Sequence, residues 1–131
     1  VDNKNKQYKI LIADDDIFNM MLAKALIGKF IPNLEIVEAV NGKIAYEKVI
    51  ISDFDLVFMD VQMPEMDGNE ATKAIRNEEC RVGKHTIIVG LTAGALETER
   101  EKCLNSGMDD FLTKPIDTVK LKETINKLLK L

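Results

Sequence analysis

No stretch of this sequence approaches the roughly 18 consecutive apolar residues that a membrane span needs, and residues 1–8 are polar, without the apolar core of a secretory leader. Membrane insertion is therefore not expected, and the chain reads as cytoplasmic. Cysteine is scarce: Cys80 and Cys103 fall in predicted helices with no Cys-x-x-Cys or Cys/His metal spacing, which suits free thiols in a reducing compartment. Histidine occurs once. His85 precedes a predicted strand without a Ser or Cys partner, so it reads as a solvated loop residue and not as a catalyst. Positive charge is not in excess either. Eighteen Lys and Arg stand against 22 Asp and Glu, a net charge of −4, so no global field favours direct nucleic-acid binding.

What is present is a repeated change of pattern. With 46% hydrophobic residues in 131, the chain can bury one sizeable core and is too short for two domains. Short apolar runs at Lys9–Ala13, Glu35–Val40, Asp55–Met59, Thr86–Leu91 and Phe111–Leu112 alternate with helix-spaced segments. The middle runs show little polar alternation, as strands covered on both faces should. In the first helix Phe18, Met21, Leu22 and Ala25 share a face, and Pro32 with Asn33 ends it. A second helix runs from about Gly42 to Ile51 with Ala45 and Val49 four apart, and a third, Asn69–Arg81, groups Ala71, Ala74 and Ile75. The fourth, about Leu96–Ser106, is closed by Gly107 and anchored by Leu96, Cys103 and Leu104, with Glu97–Lys102 facing solvent; so few anchors predict the loosest element. The last begins at the N-cap Asp117 and turns Leu121, Ile125, Leu128 and Leu129 inward. Five strands alternating with five helices predict a doubly wound α/β sandwich over residues 9–131 behind a polar tail, 1–8. Such folds bind ligands beyond the carboxyl ends of the strands.

The residues at those strand ends are Asp14, Asp15 and Asp16 after the first, Asp60 after the third, Thr92 after the fourth and Lys114 after the fifth. Unit charges about 5 Å apart at an effective dielectric of about 20 repel by roughly 3 kcal/mol per carboxylate pair. A few such pairs would strain a domain whose whole stability is about 5–15 kcal/mol. Lys114 supplies one positive charge, and a small all-oxygen cluster is a natural site for Mg²⁺, with Mn²⁺ able to take its place. That equipment suits phosphoryl transfer. In this reading Asp60 is the nucleophile, Asp15 and Asp60 bind the metal, Asp14 orients a metal-bound water, and Lys114 and Thr92 contact the transferred oxygens. Singly, each residue has a plainer role: Asp16 is a helix N-cap, Thr92 a turn residue, Lys114 a solvated lysine. Four strand ends carrying the right types together favour the joint reading.

The segments Asp14-Asp15, Phe58-Met59-Asp60-Val61-Gln62-Met63-Pro64, Asp67-Gly68, Leu91-Thr92-Ala93 and Asp110-Phe111-Leu112-Thr113-Lys114-Pro115 resemble the receiver domain of two-component response regulators, including those attached to hybrid sensor histidine kinases. The resemblance covers about residues 8–131. It implies a flavodoxin-like (βα)5 sheet of order 2-1-3-4-5, Asp60 as phosphoacceptor, Asp14-Asp15 as the acidic pair and the backbone carbonyl of Gln62 as a further metal ligand. It also implies Thr92 and Phe111 as members of an activation switch and a cis Lys114–Pro115 peptide. The donor would be a sensor histidine kinase or a histidine phosphotransfer domain, and the fourth helix, fifth strand and fifth helix could support dimerisation. Phe111 stands where Tyr is also common, so a switch here works by ring burial and not through a ring hydroxyl. Asp16 stands where many hybrid-type members have Asn. The likeness of Asp60–Arg76 to hybrid-kinase receivers favours a piece of a longer kinase over a stand-alone regulator.

No turnover enzyme is expected, only a phosphoacceptor that assists its own phosphorylation and dephosphorylation. The main alternative is a magnesium-dependent aspartyl-phosphate phosphatase resembling the haloacid dehalogenase family, which wants a second Asp two places after the nucleophile, where this chain has Gln62. A flavodoxin-like cofactor binder lacks a phosphate-cradling loop after the first strand. A phosphorylation-independent interaction module would not need every chemical position filled. Asp109, Asp110, Glu65 and Asp67 read as loop and turn residues, and the six methionines as core filler or loop residues.

Overall fold

A computed structural model describes residues 6–94 and 97–130. Ten elements alternate along them: β1 (Tyr8–Ala13), α1 (Ile17–Phe30), β2 (Leu34–Ala39), α2 (Gly42–Ile51), β3 (Leu56–Asp60), α3 (Gly68–Val82), β4 (Ile88–Thr92), α4 (Glu97–Ser106), β5 (Asp110–Thr113) and α5 (Thr118–Leu129). All strand pairs are parallel and the order is β2-β1-β3-β4-β5. The predicted doubly wound sandwich is therefore observed. Side chains on successive strand residues point to opposite faces, so each central strand feeds two cores. Ile10, Ile12 and Phe58 join Met20, Ala23 and Ile27 of α1 and Leu121 and Ile125 of α5. On the other face Leu11, Val57 and Met59 join Ala45, Val49, Ala71, Ile75 and Cys103 of α2, α3 and α4.

Helix starts are written locally. The side chains of Asp16, Asn41, Asp67 and Asp117 each accept a backbone N–H of the turn that follows, and Asp67 with Glu70 completes a capping box. Gly68 has a different duty. A Cβ there would collide with the Asp60 carbonyl, and the Gly68 N–H donates to Val61 O at 2.8 Å, so the absence of a side chain lets α3 start against the end of β3.

Details differ from the sequence expectation: β3 and β4 run on to include Asp60 and Thr92, which were expected to follow them. Tyr8 belongs to β1: it is buried and its N–H donates to Asn33 O at 3.0 Å, so the ordered sheet starts one residue inside the segment read as a tail. In α1 the face that packs is Met20, Ala23 and Ile27, whereas Phe18 (78% exposed), Met21, Leu22 and Ala25 point outward. The helix is apolar on nearly every side, so periodicity does not select the buried stripe. In α4, Leu104 is exposed; Cys103 and Ser106 face inward, and Leu96 lies outside the described residues.

Arg76 of α3 ties the lower ends of β4 and β5 together. Its Nε donates to Gly107 O (2.8 Å), Nη1 to Glu79 Oε1 (2.6 Å) and Thr86 O (2.8 Å), and Nη2 to Asp109 Oδ2 (2.9 Å). Asp109 also accepts from Ile88 N–H at 2.8 Å and lies 2.7 Å from His85 Nε2. Asp109 is thus a structural hub and not merely a turn residue, and the solvated His85 has a carboxylate partner.

Candidate functional site

Strand order reverses around β1, whose neighbours β2 and β3 lie on either side, so the loops after β1 and β3 diverge and leave a crevice between them. Asp14 follows β1 directly and is 3% exposed; Asp60 is the last residue of β3 and is 5% exposed. Thr92 closes β4, and Lys114 follows β5 with its N–H donating to Thr92 O at 2.8 Å. Parallel pairing sets Ala13 beside Met59, Asp60 beside Leu91 and Thr92 beside Thr113, so these strand ends finish nearly level. Their functional side chains emerge on one rim for that reason.

The carboxylates of Asp14, Asp15 and Asp60 each offer an oxygen within 4.8 Å of the others, a group that could hold a metal ion. Lys114 Nζ sits 3.3 Å from Asp14 Oδ2 and 3.1 Å from Asp60 Oδ2. Asp14 Oδ1 accepts the Asp16 N–H at 2.9 Å and Asp60 Oδ1 accepts the Gln62 N–H at 3.3 Å. Three ionised carboxylates against one ammonium leave two negative charges uncompensated. Burial pushes the Asp60 carboxyl above its ordinary value; the Lys114 hydrogen bond and charge oppose this, and the charge of Asp14 adds to the rise. Burial alone would lower Lys114, but its bonds to and the charges of Asp60 and Asp14 outweigh that and push it up. Lysine therefore stays charged, while its neighbours still lack positive charge. An all-oxygen donor set with a charge deficit of this kind fits a hard divalent cation such as Mg²⁺.

An open cavity of about 930 Å³ rises over this cluster, lined among others by Asp15, Asp60, Gln62, Thr92, Glu99 and Lys114. The structure thus brings together Asp14, Asp15, Asp60, Gln62, Thr92 and Lys114. Phe111 stands apart. It is half-buried beside Gly90, with the Arg100 guanidinium 4.9 Å above its ring, and lines a separate groove with Asp110, Lys120 and Lys127. The Lys114–Pro115 peptide is cis. Asp16 caps α1 through bonds from the N–H groups of Phe18 (2.8 Å) and Asn19 (3.3 Å).

Sequence reasoning missed Glu99. The stretch Glu97–Lys102 looks uniformly solvated, yet Glu99 turns into the cavity and accepts the Thr92 hydroxyl at 3.0 Å. No short-range motif announces it. The signal is only its position in the first turn of a helix that must start above the end of β4.

The sequence pattern of the response regulator receiver domain matches residues 10–126. The chain is 42% identical over 120 residues to the sensor protein GacS of Pseudomonas syringae pv. syringae, covering 91% of this chain and 13% of that protein. It is 41% identical over 125 residues to hybrid signal transduction histidine kinase I of Dictyostelium discoideum, covering 90% of this chain and 7% of that one. The chain therefore spans only a small part of these relatives. Among solved structures it is similar to a chain in the complex of the Saccharomyces cerevisiae histidine phosphotransfer signalling protein Ypd1 with the receiver domain of its downstream response regulator Ssk1: TM-score 0.85, 31% identity, 93% of this chain and 88% of that chain. It is also similar to the receiver domain of a Pseudomonas aeruginosa sensor histidine kinase solved with a magnesium ion coordinated in the active site cleft: TM-score 0.84, 28% identity, 96% of this chain and 100% of that chain. The phosphatase alternative finds no support in these likenesses. Among the described residues no helix is long and apolar enough to cross a membrane.

Proposed function

The chain belongs to the response regulator receiver domain family, a component of two-component phosphorelays, and we propose that it takes its phosphoryl group on Asp60 with the help of a divalent cation. The observation that carries this reading is the buried Asp14–Asp60–Lys114 contact with Asp15 beside it: a nucleophilic carboxylate at the floor of an open cavity, with one fixed ammonium and an uncompensated negative charge. Asp15, Asp60 and the Gln62 backbone carbonyl would hold the metal directly. Asp14 lies behind the cavity that Asp15, Asp60 and Gln62 line, which suits contact through water. When bound, Mg²⁺ supplies positive charge against the phosphoryl oxygens; Mn²⁺ has the same oxygen preference.

The chain's own residues do the rest. An Asp60 oxygen attacks phosphorus, the phosphorus–oxygen bond forming as the bond to the donor's imidazole nitrogen breaks. Lys114 stays within reach of the incoming oxygens with its charge secured by two carboxylates, and Thr92 offers one neutral hydrogen bond. The donor is a phosphohistidine on a sensor kinase or a phosphotransfer domain, a proposal supported by likeness to hybrid kinases and to the yeast complex. No turnover on a small substrate follows. The reading places the acceptor in residues 8–131 of a longer, cytoplasmic protein, in keeping with the free thiols of Cys80 and Cys103. It takes α4, β5 and α5 as the output and dimerisation face, with Phe111 turning inward on activation.

Intact-mass measurement after incubation with acetyl phosphate and Mg²⁺ tests it. One acid-labile phosphoryl group is expected on the parent and none on Asp60→Asn. The same gain on the variant would sink the assignment, and no gain without the metal is expected.

A further inference from the structure

The Thr92 hydroxyl is not idle. It has two acceptors within reach, Glu99 Oε2 at 3.0 Å and Gly94 O at 3.4 Å, of which the carboxylate is the nearer, and its oxygen accepts the Gly94 N–H at 3.2 Å. Thr92 itself is 3% exposed, so its side chain has little freedom to turn elsewhere. The acceptor is charged, and a charge-assisted hydrogen bond is roughly twice as strong as a neutral one. Glu99 is held close: its carboxylate lies against Gly94, where any Cβ would collide with it. The same carboxylate lines the cavity that Asp60 and Lys114 line.

A hydroxyl has one proton to donate. Thr92 therefore cannot serve Glu99 and a phosphoryl oxygen on Asp60 together, and reaching the second means releasing the first. We propose that Glu99 is a latch: a positioning residue that holds Thr92 in the resting arrangement and thereby sets how tightly the site takes a phosphoryl group. Breaking the latch frees both ends of one contact, the hydroxyl at the end of β4 and the first turn of α4, so uptake at Asp60 is tied to movement of that helix. The inference rests on the proposed roles of Asp60 and Thr92.

Beryllofluoride, a phosphoryl mimic, is titrated in excess Mg²⁺ onto the parent, Glu99→Ala, Glu99→Gln, Thr92→Val, Thr92→Ser and the Glu99→Ala/Thr92→Val pair, with ¹⁹F resonance of the bound form as readout. Glu99→Ala is expected to bind about tenfold more tightly, which converts to about 1.4 kcal/mol. Glu99→Gln, which keeps an acceptor but loses the charge, should gain less. With Thr92→Val the effect of Glu99→Ala should shrink to less than twofold, because nothing is left to release; Thr92→Ser, which keeps the hydroxyl, should retain it. An unchanged affinity in Glu99→Ala overturns the latch, and so does an equal gain in the Thr92→Val background, which would show direct charge repulsion. A parent that binds no beryllofluoride, or binds it equally as Asp60→Asn, removes the phosphoacceptor reading and the latch with it.

Discussion

Replacing Asp60 by Asn should make the metal-free protein more stable, although it destroys the proposed function. Asp60 faces two groups of like charge and one of opposite charge. At an effective dielectric of about 20, Lys114 at 3.1 Å contributes roughly 5 kcal/mol of attraction, and Asp14 within 4.8 Å about 3 kcal/mol of repulsion. Exposed Asp15 adds about 1–2 kcal/mol more in the same sense, so the charge terms nearly cancel. What survives is the cost of holding a carboxylate at 5% exposure, several kcal/mol per ion, part of which neutral Asn avoids. A net gain of about 2 kcal/mol is expected, and at about 4 °C per kcal/mol for a domain of this size Tm rises by about 8 °C. The pH dependence has a definite sign. The folded Asp60 carboxyl lies above its ordinary 3.8, so its contribution to stability is fully present below that value and is lost as pH rises through the higher folded value. The advantage of Asp60→Asn should therefore be absent at strongly acid pH, grow as pH rises past the carboxylate range and level off towards neutrality. Calorimetry in EDTA across that range measures it, and Mg²⁺ should narrow the gap by stabilising the parent more than the variant. A variant less stable than the parent at pH 7 in EDTA would refute the reasoning.

Other consequences follow from the same geometry. Lys114→Ala should impair both labelling by acetyl phosphate and the structural response, whereas Thr92→Ala should leave labelling largely intact and blunt the response; equal loss of labelling would contradict that division. Arg76→Ala should cost about 3–5 kcal/mol in urea unfolding, because it strands the buried Glu79 and unties Asp109 and Thr86; a loss under about 1 kcal/mol would show that water replaces the guanidinium. Hydrogen exchange with and without beryllofluoride should change over residues 97–111 as well as near Asp14 and Asp60, and a change confined to the metal cluster would end the proposed route through α4 and β5.

The fold and most of the site were legible because both are written in local signals. Apolar runs of strand length, caps such as Asp16 and Asp117, and the functional residues at the ends of β1, β3, β4 and β5 all sit in short windows. The parts that were not legible depend on partners remote in sequence. Which stripe of α1 packs is decided by β1 and α5, since Phe18, Met21 and Leu22 are as apolar as Met20 and Ile27. The hub at Asp109 needs Arg76, 33 residues away. Glu99 meets Thr92 only because the first turn of α4 crosses the end of β4, a tertiary fact that a run of Glu, Arg and Lys conceals.

The most direct test of the central claim is chemical mapping of the phosphorylated residue. Parent protein phosphorylated in Mg²⁺ is treated with borohydride, which reduces an acyl phosphate to the alcohol, and its peptides are sequenced by mass spectrometry. The account predicts homoserine at position 60 and unmodified Asp at 14, 15 and 16. Homoserine at any of those three, or a phosphorylated protein with Asp60 intact, would contradict it.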